Sequence, residues 1–243
     1  MKIITVKNYE EMSEKAADII FAQVLMKPES VLGLATGGTP VGIYRLLVDY
    51  FRSGRIDFSE VTTINLDEYQ GLSHDDRHSY RHFMQEHFIE SVNMRPENAH
   101  IPDGANLDAR EACAEYDAVI KRTGGIDMQL LGLGLDGHIG FNEPSDFFPV
   151  NTHCVKLAKS TIEANKCYFN DIDEVPKCAY TMGIGGIMQA RKILMVVSGE
   201  KKADIVRKVL YGLVIPQVPA SILQLHSDVT VILDEAAASE IVM

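Results

Sequence analysis

Apolar positions along this chain alternate between two periods. Residues 9–26 place Met12, Ala16, Ile19, Ile20 and Val24 on one stripe, the three-to-four spacing of an amphipathic helix. Residues 30–35 form a short strand that the run Thr36-Gly37-Gly38-Thr39-Pro40 breaks. Thr39 reads as an N-cap and Pro40 as the first helical residue of a helix reaching about 52. Residues 61–66 predict a second strand, ending in Asp67-Glu68, and 80–92 and 107–122 predict helices. The apolar stretch 126–135 begins as a third strand over 126–131. A strand at 192–198, a helix at 201–211 and a strand at 229–233 follow.

Strands alternating with helices imply an α/β fold, a mostly parallel sheet with helices on both faces and right-handed crossovers. Between about 145 and 176 the periodicity weakens, around Phe147-Phe148-Pro149 and the acidic stretch 171–174. Such an insertion is either a lid or a peripheral helix-and-loop excursion, and periodicity leaves both open. No repeat, low-complexity tract or composition shift marks a linker, so one domain over 1–243 is expected.

With 243 residues and 46% hydrophobic content, the chain can bury a large core. Its net charge of −11, from 34 acidic and 23 basic residues, argues against nucleic acid or an anionic membrane as partner. An anionic ligand would need a local site strong enough to overcome that field. Cys113, Cys154, Cys167 and Cys178 lack C-x-x-C spacing and are expected to be reduced thiols. The N-terminus has no signal-peptide pattern, and no stretch has the roughly 18 apolar residues of a membrane span. A cytoplasmic protein is expected.

Three candidate sites lie at the C-terminal ends of predicted strands, the edge where open parallel sheets bind ligands. The first is the turn of Thr36, Gly37, Gly38 and Thr39, whose N–H groups at a helix start can cradle a phosphate. It is neither a Walker loop nor a dinucleotide fingerprint, and a plain strand-to-helix turn is the alternative. The second is Asp67. Glu68 beside it points to the opposite face in an extended segment, so only one carboxylate enters a given cleft. Asp67 is either a general base or a capping, solvated acid. The third is LLGLGLDGHIGFNEP, residues 130–144, which puts Asp136, His138 and Glu143 among glycines. Carboxylates beside an imidazole fix its tautomer and raise its basicity, although a polar turn with a surface histidine has the same composition. Lys202, with Lys201, follows a strand and could supply a cation, or be a solvated helix lysine. His78 and His82 stand at i, i+4, but the mixed surroundings do not favour a metal, and none is expected. MGIGGIM, residues 182–188, also resembles an anion loop, but it follows Thr181 and precedes a short apolar helical turn, which favours close packing.

GLATGGTPVGIY, NLDEY, LGLDGHIGFNEP, VPKCAYTMGIG and SILQLH together closely resemble the glucosamine-6-phosphate deaminase family, in order over about 3–234. The resemblance implies a Rossmann-like α/β sheet, shared with 6-phosphogluconolactonase and ribose-5-phosphate isomerase relatives. It implies that glucosamine 6-phosphate and water give fructose 6-phosphate and ammonium, without metal or organic cofactor. Asp67 would be the enolising base and His138 the ring-opening group, with Asp136 and Glu143 orienting and polarising it. Gly37, Gly38, Thr39 and Lys202 would hold the phosphate, and the insertion would be the family's lid.

Two departures stand out. Where many members carry a lid arginine that reaches the phosphate, this chain has Cys167, with Lys166 beside it as the expected substitute point charge. Longer, allosteric members carry a basic cluster after the N-E-P motif and an extended C-terminus. Here His153 and Val155 fall near those basic positions and the sequence ends at Met243, so no activation by N-acetylglucosamine 6-phosphate is expected. The rivals are a 6-phosphogluconolactonase, whose relatives share the D-G-H loop, and a non-catalytic sugar-phosphate sensor. Phe141-Asn142-Glu143-Pro144 and Asp67-Glu68 favour the deaminase over the first. The retained acid–base residues disfavour the second. The partner expected is a small sugar phosphate; monomer and homo-oligomer both stay open.

Overall fold

A computed structural model describes residues 1–166, 169 and 171–241. Its strands are β1 (Lys2–Val6), β2 (Val31–Leu34), β3 (Thr62–Asn65), β4 (Asp67–Tyr69) and β5 (Ala99–His100), then β6 (Met128–Leu131), β7 (His153–Lys156), β8 (Cys178–Thr181), β9 (Lys192–Val197) and β10 (Val229–Asp234). Seven of them form one sheet in the order β1-β10-β9-β6-β2-β3-β5, parallel at every pairing. The chain steps outward from β2 to β3 and β5, then returns to β6 on the other side of β2. That reversal opens a crevice at the carboxyl ends of β6, β2 and β3.

Helices cover both faces, and side-chain alternation along the strands explains how. Leu32, Leu34, Leu130, Leu194 and Val196 point to one face, against α1 (Tyr9–Met26), α2 (Val41–Arg52) and α3 (Tyr80–His87). Val31, Leu131, Ile193, Met195 and Val197 point to the other, against α4 (Ala109–Arg122), α6 (Ile184–Met188) and α7 (Ala203–Tyr211). A strand buried on both faces must be apolar at successive positions, which is why 192–198 reads as a continuous run. Each fully buried Leu or Ile contributes about 1.5–3 kcal/mol, so these two layers anchor the strand ends that form the crevice.

A second sheet, β4-β8-β7, is antiparallel. Leu66 is the pivot between the sheets: its N–H donates to Leu34 O, and its carbonyl accepts from Met182 N. Asp67 then pairs with Thr181 on β8.

The structure departs from the sequence expectations at several elements. Strands β1, β4, β5, β7 and β8 were not anticipated. Thr39 does not cap α2; Pro40 occupies the N-cap position, and no side chain caps the helix. The helix expected over 80–92 breaks at Phe88 (φ −145°) and resumes as a 3-10 turn, Ile89–Ser91. The segment 145–176 is not structureless, since it carries β7, α5 (Lys159–Asn165) and a 3-10 turn, Ile172–Glu174. Cys113, Cys154 and Cys178 are free thiols, while Cys167, with its expected place in the lid, lies outside the described residues. Among the described residues no helix is long and apolar enough to cross a membrane.

Candidate functional site

A cavity of about 330 Å³ opens at the crevice, lined by segments that follow β2, β3 and β6. The turn after β2 gives it one wall, with Thr36, Gly37, Gly38, Thr39 and Pro40. Gly37 has φ +94°, a conformation that side chains disfavour, so glycine suits this turn. Tyr9 of α1 braces the turn from behind. Its hydroxyl donates to Gly38 O (3.2 Å) and Thr39 O (3.0 Å) and accepts from Gly42 N (2.9 Å). Tyr44 pins the preceding residue, donating to Ala35 O at 2.5 Å. The N-cap residue Pro40 makes no capping bond, so the first turn of α2, apart from the Gly42 N–H taken by Tyr9, is open to an anion.

Lys202, in the turn after β9, reaches the cavity and donates to Leu133 O at 2.5 Å. Burial lowers the pKa of its ammonium group, and the nearby Asp136 charge works the other way. The cation thus borders both the cradle and the histidine loop.

The loop after β6 carries Asp136 and His138. His138 Nδ1 lies 2.6 Å from Asp136 Oδ1, a close contact whose approach is off-line for an ideal hydrogen bond. His138 N–H donates to the same oxygen at 3.2 Å. Burial would raise the Asp136 pKa, but its contacts with His138 outweigh this and the net shift is downward, so a carboxylate sits beside the ring. Gly134 is required here by space, because a Cβ on it would lie 2.4 Å from the His138 ring. Asn142 staples the loop, donating to Ile139 O and Met182 O.

Asp67 faces the cavity from the third strand end and is only 6% exposed. Burial pushes its pKa up to about 8, and the neighbouring Glu68 adds to the rise. Glu68 points the other way. It accepts from the N–H groups of Tyr69, Tyr80 and Arg81, each at 2.9 Å, and so fixes the start of α3. Burial raises Glu68 as well, against the lowering effect of those three donors.

Asp67, Asp136, His138, Thr36, Gly37, Gly38, Thr39 and Lys202 therefore line one cavity. Glu143 is not among the lining residues. Its carboxylate accepts from Ala158 N (3.1 and 3.2 Å) and Thr161 Oγ1 (2.7 Å), clamping the start of α5. Lys166 stands apart, half-exposed and ion-paired with Glu163.

Sequence reasoning missed Tyr80 and Thr161, both of which line the cavity. Tyr80 packs nearly parallel to Phe141 at 5.9 Å and contacts Tyr69 Oη at 3.3 Å. Ser79, which caps α3 through His82 N, was a legible local signal for where Tyr80 begins a helix. Nothing local shows that this helix start meets the cavity.

The sequence profile described as glucosamine-6-phosphate isomerases/6-phosphogluconolactonase matches residues 7–232. A glucosamine-6-phosphate deaminase of Lachnoclostridium phytofermentans is 54% identical over 232 residues, covering 96% of this chain and 98% of its own. One from Clostridioides difficile is 51% identical over 241 residues, covering 99% and 97%. A solved monomeric glucosamine-6-phosphate deaminase superposes with a TM-score of 0.97 at 46% identity, over 99% of this chain and 100% of its own. The 6-phosphogluconolactonase of Leishmania guyanensis shares the fold, with a TM-score of 0.76 at 20% identity over 100% and 99%.

Proposed function

This chain belongs to the glucosamine-6-phosphate isomerase/6-phosphogluconolactonase family, and we propose that its activity is that of the deaminase: glucosamine 6-phosphate and water give fructose 6-phosphate and ammonium. The observation that carries the reading is the meeting of a buried strand-end carboxyl group, a carboxylate-braced histidine and an anion cradle in one cavity. The cavity of about 330 Å³ is near the small end of ligand pockets, about 300–1,000 Å³, which suits a single sugar phosphate.

The cradle of Thr36, Gly37, Gly38 and Thr39 and the Lys202 ammonium hold the 6-phosphate, by backbone donors and one charge. His138 carries a proton between the ring oxygen and the anomeric hydroxyl and so opens the pyranose. Asp136 beside Nδ1 stabilises the imidazolium formed in passing. In the open chain, Asp67 takes the proton from C2 while the aldehyde oxygen gains one from the ammonium group, giving a 1,2-enolamine; a proton delivered from Asp67 to C1 then leaves a protonated imine at C2. Water adds to that imine and ammonia leaves, giving the ketose. Glu143 acts at a distance, through α5, by holding the Thr161 side of the cavity in place.

A coupled assay tests the reading: ammonium and fructose 6-phosphate formed from glucosamine 6-phosphate, against hydrolysis of 6-phosphogluconolactone by the same preparation. Equimolar ammonium and ketose phosphate are expected. Lactone hydrolysis without ammonium release would overturn the assignment.

A further inference from the structure

Among the described residues, the cavity wall holds a carboxyl group with no counter-charge. Asp67 and Glu68 are adjacent and both buried, 6% and 3% exposed. Glu68 is supplied with three N–H donors. Among the described residues, no hydrogen-bond donor or cation partners the Asp67 carboxyl group. The groups around it are Glu68 on its own strand, Tyr80 of α3, Tyr116 of α4, Thr181 opposite on β8 and Gly140 of the histidine loop. None is cationic. Arg81 of α3 acts on Glu68 and Tyr116. Across the cavity, Lys202 is tied to Leu133 O and His138 is paired with Asp136. A carboxylate out of water without a partner is costly, so burial holds Asp67 protonated around neutral pH. A protonated carboxyl group cannot act as a base.

Resting on the deaminase reading, we propose that the ammonium group at C2 of the bound amino sugar phosphate is the missing counter-charge, so that Asp67 becomes a base only when a 2-amino substrate is seated. An opposite charge within about 4–6 Å favours the ionised carboxyl group by roughly one to three pKa units, enough to reverse its state near neutrality. The same contact makes Asp67 a specificity determinant. A 2-hydroxy sugar phosphate of equal size and phosphate charge can occupy the cradle, but it leaves Asp67 protonated and is not isomerised. Selection of the amino sugar then lies in the chemical step as well as in binding.

The test is proton release measured calorimetrically at pH 7 in buffers of different ionisation enthalpy. The wild-type enzyme is titrated with two open-chain analogues, 2-amino-2-deoxyglucitol 6-phosphate and glucitol 6-phosphate. Before binding, Asp67 and the amine hold two protons; in the complex the pair holds one, however it is shared. The amino analogue is expected to release close to one proton more than the hydroxy analogue, the phosphate contribution cancelling between them. In Asp67→Asn that difference disappears. Equal release by the two analogues from wild-type enzyme that still liberates ammonium from glucosamine 6-phosphate overturns the counter-charge and leaves the deaminase reading standing. Absence of ammonium release overturns both. Isomerisation of glucose 6-phosphate at a rate comparable with amino sugar turnover also overturns it.

Discussion

Asp67 and Glu68 differ by one methylene group, and the face of a three-residue strand decides what each does. Glu68 turns into the protein and spends its acceptors on the start of α3; Asp67 turns into the cavity and keeps its own free. The cost of that freedom shows as a pH dependence. The carboxyl group ordinarily ionises near 3.8, and in the folded protein at about 8. Between these values the folded state holds a proton that the unfolded chain has lost. The stability it contributes is full below about pH 4 and is lost as pH rises to about 8. Asp67→Asn cannot ionise and escapes the loss. Its melting temperature relative to wild type is therefore expected to climb between about pH 4 and 8 and then level off. A difference unchanged across that range would contradict the burial of an unpartnered carboxyl group. The strand-end position of Asp67 and its separation from Glu68 were legible in the sequence, because alternation in an extended segment is local. The absence of a partner was not legible, since it depends on what α3, α4 and β8 bring up to it.

Helix α5 shows how an element can be held by a residue outside it. Its N-cap is Ala158, which has no side-chain acceptor, and Glu143 supplies one from the far end of the histidine loop. Thr161 both donates to Glu143 and lines the cavity. Thr161→Val keeps the shape and removes the hydroxyl, a hydrogen bond to a charged group worth about 1.5–3 kcal/mol. The variant is expected to raise KM for the sugar phosphate several-fold, with Thr161→Ser restoring it. A serine variant as impaired as the valine one would show that shape, not the hydroxyl, matters. The resemblance assigned Glu143 to the imidazole, and its hold on α5 was not legible. Residues 158–161 lie fifteen or more positions away, in a stretch without periodicity. The small sheet escaped notice for a similar reason. Strands of three or four residues leave too short a pattern, and Asp67 meets Thr181 only across a long separation in sequence. The long strands β9 and β10, buried on both faces, were plain.

At the scale of the whole molecule, the reversal of strand order at β2 brings the cradle, Asp67 and the histidine loop to one crevice, although they lie in three separate stretches of sequence. The net charge of −11 works against an anionic substrate, so on the proposed reading binding rests on short-range donors, Lys202 and the start of α2, rather than on the field of the protein. Alternating βα units made this architecture legible. On the proposed reading these strand ends form one isomerising site in which Asp67 moves the C2 proton. Turnover of glucosamine 6-phosphate in D₂O, with mass spectrometry of the fructose 6-phosphate and parallel measurement of sugar-phosphate binding, distinguishes this role. The wild-type enzyme is expected to place solvent deuterium at C1 of the product, and Asp67→Asn to lose both turnover and deuterium exchange at substrate C2 while still binding the sugar phosphate. Near-normal turnover with deuterium incorporation in Asp67→Asn would rule Asp67 out as the base.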